Sequence, residues 1–267
     1  MVPGRPYISI SYMESAMTEV FTFTPARIEH LEEKIGCDIR PAIEMKLDRP
    51  HLIDFGNDLT DKYPNLYEST VQSPNQFLAQ KRFIFPGKGE AEIITLVVKP
   101  SGPLFVFPRV LGPIEEETDL PRCDDIITDL VAIFRNRFTT RKIIRVGLIT
   151  EYVFSTGAYD STELVCGRFT KLKVPPKGDL FLKLNHCCDQ FNRLITIEPM
   201  TKRRFNPTKP TEVEPAGFAI KVTVDFNNRN MTEDLKEEDI VNLMHAAKNY
   251  NKKELYEFLN NPSEIDT

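Results

Sequence analysis

Residues Gly217 to Phe226 read GFAIKVTVDF, in which Phe218, Ile220, Val222, Val224 and Phe226 alternate with Ala219, Lys221, Thr223 and Asp225. A period of two over this length predicts a strand with one apolar and one wettable side. Sheets with one solvated face are normally antiparallel, so the pattern argues against the parallel nucleotide-binding α/β folds.

Shorter apolar runs predict strands at Tyr7–Tyr12, Glu19–Phe23, Ala42–Leu47, Gln80–Phe85, Ile93–Val98 and Leu104–Phe107. Pro86-Gly87 and Pro100-Ser101-Gly102-Pro103 separate the last three. Lys142–Phe154 reads as a long strand with Ile144, Val146, Leu148, Tyr152 and Phe154 on one side. Leu164–Lys171 reads as another, and Leu180–His186 with Leu194–Glu198 as a hairpin around HCCDQFNR.

Helical spacing appears in four places. Thr24-Pro25 has the form of a helix start, followed by Ile28, Leu31 and Ile35 as a buried stripe and Gly36 as a stop. Asp124–Phe138 is the clearest helix, with Ile127, Leu130, Val131, Phe134 and Phe138 at i, i+3, i+4, i+7 and i+11. Its acidic start and its Arg135 and Arg137 suit the helix dipole. Ile240, Leu243, Met244 and Ala247 mark a third. Asn251 with Glu254 three residues on has the form of a capping box for a fourth, which carries Leu255, Phe258 and Leu259. Residues 48–75 and the proline-rich stretch 207–215 read as loops, and GPIEEETDLP (112–121) as an exposed connection.

These elements predict an α+β protein with a predominantly antiparallel sheet and helices packed on one face. Two related lobes, 1–112 and 113–267, would meet near residues 100–120, a single domain being the alternative. No repeat appears at the spacing of solenoids or propellers.

Composition adds little against this picture. The chain has 267 residues, 41% hydrophobic and 27% charged, which is ordinary for a globular protein. A net charge of −5 lowers the expectation of a protein devoted to gripping a phosphate backbone. Cys37, Cys123, Cys166, Cys187 and Cys188 form no disulfide framework, and their odd number fits reduced thiols in a cytoplasm. The opening MVPGRPYISISYME lacks the apolar core of a secretory signal, and no run reaches the roughly 18 apolar residues of a membrane span. The expectation is a cytoplasmic protein without membrane contact.

No motif carries a reaction. His186-Cys187-Cys188-Asp189 groups soft ligands, but zinc sites pair ligands two to four residues apart and add a second pair elsewhere. Glu44-x-Lys46 has the form of half a metal-dependent nuclease site. Asp38 would have to supply its other carboxylate, too near in sequence for a separate strand. Asp48, Asp54, Asp58 and Asp61 could gather around Mg²⁺ or Ca²⁺, yet the EF-hand pattern is absent; an acidic surface loop is the plainer reading. Arg135, Arg137, Arg141, Lys142 and Arg145 form a basic run, and Lys202, Arg203 and Arg204 a second, either able to meet phosphates or a partner. HExxH, GxSxG, the Walker loop and GxGxxG are all missing.

From residue 121 to 260 the order is a cap helix, RVGLITEY, several strands, a VTVDF strand and a closing helix. It resembles a sporadically distributed family of uncharacterised bacterial α+β proteins of similar length. The resemblance implies a bacterial protein and carries no site residue.

The expected function is a non-catalytic protein-binding or assembly subunit, with no cofactor and with another protein or a second copy as partner. Its first alternative is a metal-dependent phosphate- or nucleic-acid-processing enzyme using Asp38, Glu44 and Lys46 or the Asp48–Asp61 carboxylates. Its second is a nucleic-acid-binding protein using the 135–145 patch.

Overall fold

The computed structural model describes residues 21–40, 49–64, 69–73, 76–84, 91–99, 102–109, 123–137, 142–170, 180–188, 190–206 and 209–262. Strand β1 (Ile28–Arg40) precedes helix α1 (Arg49–Lys62) and the meander β2 (Ser69–Ser73), β3 (Gln76–Ile84), β4 (Ala91–Lys99) and β5 (Gly102–Arg109). Helix α2 (Cys123–Arg137) leads to β6 (Lys142–Gly157), helix α3 (Ser161–Phe169) and a second meander, β7 (Leu182–Cys188), β8 (Phe191–Asn206) and β9 (Lys209–Asn228). Helices α4 (Glu237–Asn249) and α5 (Leu255–Asn260) follow, joined by a π-helical turn at Tyr250–Glu254.

All nine strands form one antiparallel sheet in the order β2-β3-β4-β5-β1-β6-β9-β8-β7. Each half runs strand, helix, meander, helix, and each half's first strand sits at the centre beside its last. β1 and β6, from either side of residue 112, pair from Ile28↔Phe154 to Arg40↔Lys142. The two halves therefore repeat one topology, with one strand fewer in the second, and share a single sheet.

The alternation in β9 does what its sequence predicts. Ile220, Val222, Val224 and Phe226 are buried, as are Val146, Leu148, Tyr152 and Phe154 of β6 and Ile195 and Ile197 of β8. These residues join Leu130, Val131 and Phe134 of α2, Val165 of α3, Ile240, Leu243, Met244 and Ala247 of α4 and Leu255, Phe258 and Leu259 of α5 in one core. The helices pack on this face.

Several segments differ from expectation. The helix expected from Thr24 is one 3-10 turn, Pro25–Arg27, followed by strand β1. Ile28 and Leu31, three apart, would lie on opposite sides of a regular strand. A bulge between Ile28 and His30 absorbs one residue, so Ile28 faces Phe154 and Leu31 faces Tyr152 on the same side. The helix-like spacing was a bulged strand. Phe21–Phe23, expected as part of a strand, makes no ladder among the described residues. Phe23 is instead held by Asn260, which accepts from Phe23 N at 2.8 Å and donates to Phe23 O at 3.0 Å. Phe23 packs edge-on against Phe154, ring centres 5.1 Å apart.

The loop expected over 48–75 contains α1 and β2. Phe55 and Leu59, at i and i+4, are buried, and Phe55 meets Phe134 edge-on at 6.3 Å. The strand expected at Leu164–Lys171 is helix α3, because Asp160 caps it, accepting from Thr162 N at 2.8 Å and Glu163 N at 3.0 Å. Residues 209–215 of the proline-rich stretch belong to β9 rather than to a loop. Beyond Ile197 of β8 and Phe218 of β9, the neighbours β7 and β6 have ended. Among the described residues the two strands there pair only with each other, and prolines are tolerated on such free edges. Gly217, with φ +121, lies at the bulge where this ribbon leaves the sheet.

Asn251 caps nothing. The chain stays helical from α4 to α5, and the π turn carries Asn251 into the core, where its Nδ2 donates to Thr150 Oγ1 at 2.9 Å. Beside it, burial foremost pushes the Tyr250 phenol up to about 12, assisted by Glu254 and opposed by Arg193. The strands expected at Tyr7–Tyr12 and Ala42–Leu47 and the connection at 112–121 lie outside the described residues.

Candidate functional site: the open face of the sheet

The face opposite the helices is built by the polar half of each alternation. His30, Glu32 and Lys34 of β1, Arg145, Ile149, Glu151 and Val153 of β6, Lys221, Thr223 and Asp225 of β9 and Leu194 of β8 share it by register. Its central charges neutralise one another. Lys34 Nζ lies 2.8 Å from Glu151 Oε1 and 3.0 Å from Glu32 Oε1, and Lys221 Nζ lies 2.8 Å from Glu151 Oε2. Burial pushes the Glu151 carboxyl up, but bonds from Lys221 and Lys34 outweigh it and hold the group below its ordinary value. His30 chiefly, then Lys34, lowers Glu32 against its burial. Lys34 is lowered by burial and raised further by Glu151 and Glu32, for a net rise.

Below this lattice, Arg145 Nη2 lies 3.3 Å from Asp225 Oδ2, and Asn227 donates to Asp225 at 2.9 Å and accepts from Asn192 at 3.2 Å. Between these charged groups, Ile149, Val153 and Leu194 are half-buried. Sequence reading missed the lattice because residues 28–36 read as a helix. Glu32-x-Lys34, a charge pair at strand spacing, was the signal that marked it.

The basic run does not gather into one patch. Arg135, on α2, lies 3.5 Å from Asp234 and donates to the Leu235 carbonyl. Asp234 in turn accepts from Ile143 N at 2.9 Å, and Leu235 N donates to Ile143 O at 2.8 Å. Arg135 thus clamps the segment that completes the start of β6. Arg137 grips Asp58 through two nitrogens, Nη2 to Oδ1 at 2.6 Å, and reaches Asp54 at 3.4 Å. Arg145 sits on the opposite face of the sheet, across from Asp38 in register. Lys142 is exposed, and Arg141 lies outside the described residues. In the second run, Lys202 pairs with Glu29 and reaches Ser155 Oγ at 3.3 Å, while Arg203 is exposed.

Two of the four aspartates weighed as cation ligands lie on a helix and not in an acidic surface loop, and they converge on an arginine. Asp54 and Asp58 stand one turn apart on α1 and both meet Arg137, which lowers Asp58 against a small burial penalty. Asp61 is exposed; Glu44, Lys46 and Asp48 lie outside the described residues. His186, Cys187 and Cys188 end β7 opposite Arg193, Asn192 and Phe191, with Asp189 outside the described residues. Among the described residues no three His, Cys, Asp or Glu side chains are grouped to hold a metal. No described helix is long and apolar enough to cross a membrane. A half-open cavity of about 200 Å³ lies beside Asn228, lined in part by Asn230, Glu233, Asp234 and Asp239. Asp234 is engaged as above, and Asp239 accepts from Lys236 N at 2.8 Å at the start of α4.

No protein-family model matches the chain, and no curated protein matches it significantly.

Proposed function

We propose that this protein is a non-catalytic binding or assembly subunit that meets another protein through the open face of its sheet. The observation that carries this reading is the composition of that face. Half-buried Ile149, Val153 and Leu194 stand among charges already neutralised in pairs. Pairing removes the larger cost of burying a lone charge, and the apolar side chains between the pairs supply the favourable term of a contact.

The test is co-purification of the tagged full chain from its native host. The wild type is expected to bring down a stoichiometric partner, and Val153→Glu with Leu194→Glu to lose it while keeping the wild-type melting temperature. A partner indifferent to those substitutions, or none at all, refutes the reading.

A further inference from the structure

We propose that β7 pairs with the β7 of a second copy, antiparallel about a two-fold axis, so that two nine-stranded sheets become one. The inference deepens the reading of a protein that works by contact, and it names a different surface from the open face.

β7 ends the sheet, and among the described residues only β8 pairs with it. Its outer row of N–H and C=O groups is therefore a template for another strand. Soluble proteins usually blunt such an edge with charge, proline, a bulge or brevity. The other edge of this sheet follows that rule: β2 is five residues long and reads STVQS. β7 does not. Its seven residues, LKLNHCC, carry one lysine and no proline, and its register with β8 is unbroken from Leu182↔Ile197 to Cys188↔Phe191.

The surroundings of β7 are also apolar. Five large hydrophobic side chains are exposed among the described residues, and three of them flank this edge. Phe181 is 61% exposed, Leu184 39%, and Met200, three residues past the partner of Leu182, 38%. Ordering an exposed phenylalanine and leucine beside an unblunted ladder favours a strand-for-strand contact over solvent.

Self-pairing fits the charge pattern. A dyad at Leu184 sets that leucine beside its own copy and Lys183 across from Asn185, so the two lysines do not oppose each other. An isologous contact uses the same β7 edge of both copies and so closes the assembly as a dimer.

Sedimentation and light scattering of the purified full chain test this directly. A dimer is expected at tens of micromolar. Leu184→Lys places like charges on the dyad and should weaken it by about tenfold or more, with the melting temperature confirming a retained fold. Lys183→Glu with Asn185→Lys sets opposite charges across the same dyad and should tighten the dimer, so the proposal stays decidable if Leu184→Lys fails to fold. Val153→Glu, on the open face, should leave the dimer intact. A wild type that remains monomeric at about 100 μM overturns the proposal. So does a dimer that ignores the β7 changes, or one lost only in Val153→Glu. The last outcome would move self-association to the open face and leave the proposed function standing.

Discussion

Asn251 shows how one side chain ties the helical layer to the sheet. It is 8% exposed, Thr150 is 1% exposed, and their hydrogen bond crosses from the π turn to the central strand β6. Removing one partner strands the other in the core, which costs about 1–3 kcal/mol, whereas replacing both by apolar groups of similar shape is close to neutral. Asn251→Ala is therefore expected to lower unfolding stability by that amount in urea titrations, and Thr150→Val with Asn251→Leu to recover most of it. A double variant no better than the single one contradicts the pairing. Gly217 is a second decisive residue. Its φ of +121 is one that a side chain resists, so Gly217→Ala should cost about 1–3 kcal/mol by the same measurement. The sequence displayed both residues but not their roles: an asparagine three before a glutamate looks like a cap until packing turns it inward.

At the scale of elements, Asp54 and Asp58 belong to a clamp between α1 and α2. Arg137 joins Asp58 and Asp54, while Lys62 pairs with Asp129 at 2.6 Å in the reverse direction. Arg137→Met should lower the melting temperature in low salt and do so less at high salt, because partly exposed ion pairs are screened. Added Mg²⁺ should leave the wild-type melting temperature unchanged. A clear rise would restore the metal reading.

The lattice on β1, β6 and β9 predicts a pH response. Glu32 and Glu151 have lowered values in the folded state, so their contribution is complete above the ordinary glutamate value of 4.5. It is lost as pH falls below that through the lowered values. Glu151→Gln should lower the melting temperature most at neutral pH and least in acid, where the wild type has already lost this contribution, so the acid limb of the profile flattens. An unchanged acid limb would exclude this origin.

For the whole molecule, the repeated topology places β6 and β9 in the interior of the sheet, each between two strands, and β2 and β7 at the rims. Amide exchange should be slowest in β6 and β9, where both flanks are paired and Val146, Val222 and Val224 are wholly buried. In a dimer joined at β7, that strand's outward amides should slow with rising protein concentration.

The sequence by itself determined the strands whose alternation is regular, β9 and β6, and helix α2, whose stripe spans about three turns. It also determined the antiparallel α+β class, because a period of two with one wet side leaves few other arrangements. Only the tertiary structure decided the rest. Bulged β1 and the short, capped α3 carry periodicities that local reading assigns to the wrong element. Whether Arg137 meets phosphate or aspartate depends on which helix lies beside it, and residues 79 positions apart in the chain do not announce that they are neighbours. The open face and the unblunted edge likewise exist only once nine strands share a sheet, since a side chain's exposure belongs to the layers around it and not to its place in the chain.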